Sequence, residues 1–183
     1  QEVLARQIEL APILGTDAVL CVPGIVNAVT SYDEAYERAS EVLKTSAKLA
    51  EQNNVTIGVE NVWNRFLLSP LEMARFIGEI DSSHVGAYFD VGNILQYGFP
   101  EQWIRILGSR ITRIHFKDFR LDIGNGKGFC LPLTGDVPWA QVMAALREIG
   151  YDGWLTAEVE PHRTSPETGL KVLAESMKAI LEL

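Results

Sequence analysis

Thr56-Ile57-Gly58-Val59-Glu60 is an apolar run of strand length that ends on a carboxylate. The same construction returns in Val85-Gly86-Ala87-Tyr88-Phe89-Asp90, Ile111-Thr112-Arg113-Ile114-His115 and Trp154-Leu155-Thr156-Ala157-Glu158. A fifth strand-like run, Asp17-Ala18-Val19-Leu20-Cys21-Val22, precedes them. Helical sequence lies between the runs, and strand alternating with helix predicts one α/β domain with a parallel sheet. Folds of this kind place their chemistry at the carboxyl ends of the strands. Glu60, Asp90, His115 and Glu158 are therefore expected to converge on one rim. Carboxylates with an imidazole suit a borderline-hard divalent ion, Mn²⁺ foremost, with Mg²⁺, Co²⁺ and Zn²⁺ as alternatives.

At 183 residues and 47% hydrophobic content the chain is long enough for one sizeable core. A complete barrel of eight βα units takes about 250 residues. Five strand-like runs, and a start in the middle of a helical pattern without Met, predict a partial TIM barrel of about five βα units. Residues 1–183 would then be a single domain, the C-terminal two-thirds of a full barrel. An open five-stranded sheet is the competing architecture. The formal charge of −8 argues against nucleic acid, whose phosphates need a basic face. No apolar run reaches membrane-spanning length, and no signal-peptide pattern opens the chain. Cys21 and Cys130 lie far apart with no CxxC spacing, which fits a reduced, cytoplasmic protein. Sheet edges left by absent strands would favour a homo-oligomer.

Helices are expected over residues 1–14, from Ser31 to Asn53, from Ser69-Pro70 to Ile80, from Pro100 to Gly108, from the capping stretch Gly135-Asp136-Val137-Pro138-Trp139 to Ile149, and from Pro166 onward. The glycine-rich stretch Ile123-Gly124-Asn125-Gly126-Lys127-Gly128 does not follow a phosphate-loop pattern and reads as a surface loop.

At Val59-Glu60-Asn61, Phe89-Asp90-Val91-Gly92-Asn93, His115-Phe116-Lys117-Asp118 and Ala157-Glu158 the sequence resembles the xylose isomerase-like TIM barrels. It is most similar to the sugar phosphate isomerase/epimerase group, with ketose 3-epimerases and inosose dehydratases among its members. Gly135-Asp136-Val137-x-Trp139 and Gly150-Tyr151-Asp152-Gly153 add to the likeness, which covers nearly the whole chain as the fourth to eighth barrel strands. The resemblance implies that Glu60, Asp90, His115 and Glu158 hold one divalent metal, commonly Mn²⁺. It also implies that Glu60 and Glu158 move protons on either side of an enediolate formed from a sugar or sugar phosphate. Many members carry His three residues after the metal Asp. This chain has Asn93, which can hydrogen-bond a substrate hydroxyl but cannot titrate.

Each residue has a plainer reading. Glu60 could cap a helix or pair with Arg65, Asp90 could form a turn, and His115 could be structural. Glu158 competes with Glu160, which shares its strand face, and family spacing favours Glu158. Lys117 and Asp118 are either an exposed turn pair or contacts to substrate and ligands. Arg65 and Arg163 could bind a phosphate or carboxylate, while Trp63 and Phe66 could wall a sugar face or merely cover the barrel end. His84 reads as structural, and His162 stays ambiguous. The expected activity is a metal-dependent isomerase or epimerase of a sugar. The alternatives are a dehydratase or lyase on an inositol-like ketone, an apurinic-site endonuclease, and a non-catalytic fragment. The endonuclease is disfavoured by three histidines and the acidic charge.

Overall fold

The computed structural model describes residues 1–160 and 163–183. The elements in order are α1 (Glu2–Leu10), β1 (Ala18–Cys21), α2 (Tyr32–Gln52), β2 (Thr56–Glu60), α3 (Pro70–Ile80), β3 (Val85–Asp90), α4 (Val91–Leu95), α5 (Pro100–Leu107), β4 (Ile111–Phe116), β5 (Asp118–Phe119), β6 (Phe129–Cys130), α6 (Trp139–Glu148), β7 (Leu155–Ala157) and α7 (Pro166–Leu181). Five strands form one parallel sheet in the order β1-β2-β3-β4-β7, and β5 pairs antiparallel with β6. This is a partial α/β barrel of the expected type. The inner strands β2 and β3 are almost wholly buried, which is why they read as unbroken apolar runs. The outer strands β1 and β7 are half-exposed. No helix among the described residues is long and apolar enough to cross a membrane.

The chain divides into two compact units. The first is Gln1–Phe89 with Ser109–Thr112. Its long helix α2 starts at a capping box, in which Glu34 N–H donates to Ser31 Oγ and Glu34 Oε2 accepts from Ser31 N–H at 3.0 Å. Helix α3 starts at Ser69, whose Oγ accepts from Glu72 N–H at 3.2 Å, with Pro70 at the first helical position. It ends at Asp81 in the left-handed region, φ 55°. Tyr32, Tyr36, Phe66 and Phe76 form an aromatic cluster with ring centroids 5.0–6.1 Å apart. Phe66 is 2% exposed, so it is a core residue rather than a wall for a sugar. A side chain of that size stabilises by about 1.5–3 kcal/mol when fully buried. Its loop therefore stays anchored while Trp63 and Arg65 remain exposed. His84 Nδ1 lies 2.9 Å from Val55 O, in keeping with a structural role.

The second unit is Asp90–Gly108 with Arg113–Leu183. Trp103, Ile104 and Leu107 of α5 and Val142 and Leu146 of α6 are buried, and Phe116 packs on Trp139 at 4.8 Å between centroids. Strands β4 and β7 pair with His115 opposite Thr156. The stretch read as a surface loop is exposed from Ile123 to Lys127, as expected; β5 and β6 close its base, and residues Gly126–Gly128 form a 3₁₀ turn. Elsewhere the structure departs from expectation. The five-residue helix α4 was not foreseen. In the first unit, the opening helix stops at Leu10 rather than Leu14, since Pro12 has no N–H to continue it. His162 and Pro161 lie outside the described residues.

Candidate metal centre

Asp90 is the last residue of β3 and is fully buried. Its Oδ1 accepts the Asn93 N–H at 2.8 Å and so caps α4. That bond fixes the carboxylate plane and leaves Oδ2 turned toward two side chains from beyond β3. His115 Nδ1 lies 3.8 Å away and Lys117 Nζ 3.2 Å away. His115, buried on β4, is also 3.5 Å from Glu158 Oε2. Glu158 follows β7, and its N–H donates to Phe116 O at 3.0 Å, which holds its backbone beside β4. Asp90, His115 and Glu158 each offer a ligand atom, and these atoms lie within 4.8 Å of one another.

Lys117 binds this group together. Its ammonium contacts Glu158 Oε2 at 2.5 Å as well as Asp90 Oδ2, and lies 4.7 Å from the centre of the Phe129 ring. Burial by itself would lower the Lys117 pKa, but the negative charges and hydrogen bonds of Asp90 and Glu158 outweigh that and raise it above the usual value. Burial likewise pushes Glu158 up, yet the hydrogen bond from Lys117 and the charges of Lys117 and His115 leave it below the usual carboxylate range. Both groups are therefore held charged at neutral pH. Gly92 permits the arrangement, because a Cβ there would sit 2.6 Å from Lys117 O and 2.7 Å from its Cγ. Two carboxylates and an imidazole at these separations fit a divalent cation with oxygen and nitrogen ligands. Glu60, at the carboxyl end of β2 in the first unit, is 6% exposed.

The other anticipated site residues fall in different places. Asn93 is buried in α4, where its backbone serves Asp90. Glu160 lines a cavity of about 820 Å³ together with Lys117, Lys127, Phe129, Glu158 and Arg163. Trp63 and Arg65 are exposed in the loop after β2, and Arg65 adopts a left-handed φ of 61°. Asp118 is neither an exposed turn residue nor a substrate contact, since it is fully buried. Its Oδ1 accepts from Phe119 N–H at 2.8 Å and Val137 N–H at 3.0 Å. Its Oδ2 accepts from Gly135 N–H and Trp139 Nε1–H, both at 3.1 Å. Lys127 and Phe129 went unrecognised as cavity residues. Only the pairing of β5 with β6 brings them to it, and two-residue strands leave no periodic signal.

The family model described as xylose isomerase-like TIM barrel matches residues 2–180. The D-psicose 3-epimerase of Enterocloster bolteae is 32% identical over 143 residues, covering 74% of this chain and 44% of that protein. The inosose dehydratase of Lacticaseibacillus casei is 26% identical over 152 residues, covering 73% and 51%. The chain thus spans about half the length of these relatives. The crystal structure of a D-tagatose 3-epimerase-like protein superposes with a TM-score of 0.80 at 25% identity, over 99% of this chain and 69% of that one.

Proposed function

The chain belongs to the xylose isomerase-like TIM barrel family, and from that premise we propose that it is a divalent-metal-dependent isomerase or epimerase of a sugar or sugar phosphate, acting in the cytoplasm. The observation that carries the reading is the grouping of Asp90, His115 and Glu158, whose ligand atoms lie within 4.8 Å of one another. Glu60 is proposed as the fourth ligand. In its support, β2 pairs with β3 so that Glu60 stands opposite Tyr88, two residues before Asp90. A bound ion, Mn²⁺ foremost, would polarise the substrate carbonyl and hold the adjacent hydroxyl.

The chain's own residues do the proton work in this proposal. Glu158, kept as a carboxylate by Lys117 and bordering the cavity, takes the proton from the carbon beside the carbonyl. Glu60 delivers a proton to the opposite face for epimerisation, or to the neighbouring carbon for isomerisation. Lys117 donates a hydrogen bond to the oxygen on which charge develops in the enediolate. Asn93, Glu160, Trp63 and Arg65 are proposed to contact substrate.

A dehydratase is the second reading, favoured by similarity to the inosose dehydratase. It starts with the same proton abstraction and then expels hydroxide from the enediolate. Incubating the metal-loaded chain with a panel of ketoses and ketose phosphates in D₂O separates the two. Deuterium at the carbon beside the carbonyl without loss of water, abolished in Glu60→Gln and Glu158→Gln, is the expected result. Loss of water from the substrate identifies the dehydratase. Absence of exchange on every compound, with metal bound, refutes both.

A further inference from the structure

Some cations on this acidic surface are paired with glutamates. Arg6, Arg38, Arg75, Arg105 and Lys178 each sit within 3.3 Å of a glutamate oxygen. Three cations line the cavity bordered by Glu158. Lys117 there is engaged by Asp90 and Glu158, but among the described residues neither the Lys127 ammonium nor the Arg163 guanidinium has a carboxylate partner. Both line the same space, against one further acid, Glu160. In a chain with 24 acidic and 16 basic side chains, two unpaired cations facing one cavity form a local excess of positive charge.

At about 820 Å³ the cavity has room for a sugar-sized ligand with a charged substituent. The lining combines three kinds of group. Glu158 and Lys117 provide the reacting end, the Phe129 ring an apolar face, and Lys127 with Arg163 the cationic groups. Lys127 is positioned by its own backbone, whose N–H donates to Asn125 Oδ1 at 3.0 Å as the 3₁₀ turn begins. An arginine fork and an ammonium lining one cavity match a compact oxyanion, which can accept charge-assisted hydrogen bonds from both.

We propose that the cavity selects a polyhydroxy carbonyl substrate bearing a terminal oxyanion, phosphate or carboxylate, held by Lys127 and Arg163 while the carbonyl end meets Glu158. The inference rests on Glu158 being a reacting group, and its test is separable from that reading. Titration calorimetry would compare D-ribulose 5-phosphate, a keto-uronate and free D-ribulose on the metal-loaded chain and on its K127Q/R163Q variant, whose folding is checked by circular dichroism.

Both charged ligands, or one of them, should bind the parent at least tenfold more tightly than D-ribulose, and the variant should lose that preference. Which ligand gains tells phosphate from carboxylate. Inorganic phosphate should compete if phosphate is the group held. Equal affinity for all three ligands, no binding of either charged one, or a preference that survives in the variant overturns the proposal. Deuterium exchange measured alongside decides the enzyme reading separately. Charge preference without exchange leaves the subsite standing and removes the catalytic role of Glu158.

Discussion

Asp118→Asn tests how the cavity-side loop is held. The carboxylate receives two N–H groups on each oxygen, from Phe119 and Val137 on one side and Gly135 and Trp139 on the other. An asparagine keeps one acceptor and turns the other into a donor. Both bonds on Oδ1 are buried, as is the Trp139 bond, whereas Gly135 N–H is only partly so. The less costly orientation therefore points the new NH₂ at Gly135 and Trp139. Each buried donor left without a partner costs about 1–3 kcal/mol, and the partly buried one costs less. The sum is about 2–4 kcal/mol. With a urea dependence of about 2 kcal/mol per molar for a domain of this size, the unfolding midpoint should fall by about 1–2 M. Tryptophan fluorescence against urea reads the midpoint directly, with Trp139 beside the altered group. A variant within about 0.5 kcal/mol of the parent would refute the account of Asp118 as the tie between the end of β4 and the start of α6.

Three further outcomes are expected. His115→Ala and Asp90→Asn should each abolish the roughly one equivalent of divalent metal that the parent is expected to bind, as read by elemental analysis after dialysis. Gly92→Ala should destabilise by about 1–3 kcal/mol through the clash of its Cβ with Lys117, measured by urea unfolding. Tyr32 and Tyr36 are pushed up to about 12, first by burial and then by Glu72 and Glu79 respectively, so they hold their protons longer when folded. Stability should accordingly be complete below pH 10 and decline as pH rises from about 10 to about 12; Tyr32→Phe should flatten that decline, with tyrosinate absorbance as the check.

Legibility in the sequence followed burial and distance along the chain. Strands β2 and β3 were read with their observed bounds, because inner strands of a parallel sheet are apolar on both faces and end sharply at Glu60 and Asp90. Helix α3 was read from Pro70 to Ile80 because its cap and its first-turn proline are local signals. Helix α4 was invisible, since five residues are too few for periodicity and its cap, Asp90, had already been read as a strand end. Asp118 was misread for a different reason. Three of its four donors lie 17 to 21 residues away, and nothing near Asp118 in sequence announces them. Lys117 is similar, with Glu158 brought to it only by the pairing of β4 with β7. Glu158, rather than Glu160, stands at His115, while Glu160 is turned to the cavity.

The plain and the chemical readings of Asp90 prove to be one arrangement. A carboxylate has two oxygens, and here the structural task falls to Oδ1 and the electrostatic one to Oδ2. Capping α4 costs the candidate centre nothing, and it removes the freedom of a side chain that would otherwise lose entropy on gripping a cation. Glu158 is built the opposite way. Its side chain is 48% exposed and is oriented by Lys117 rather than by packing. A centre that must hold a cation and also admit a substrate needs both kinds of ligand, one fixed before binding and one able to move. The buried strand end of β3 supplies the first, and the short, half-exposed β7 supplies the second beside the cavity. The proton-transfer role proposed for Glu158 thus falls to the carboxylate of this group that a substrate can reach.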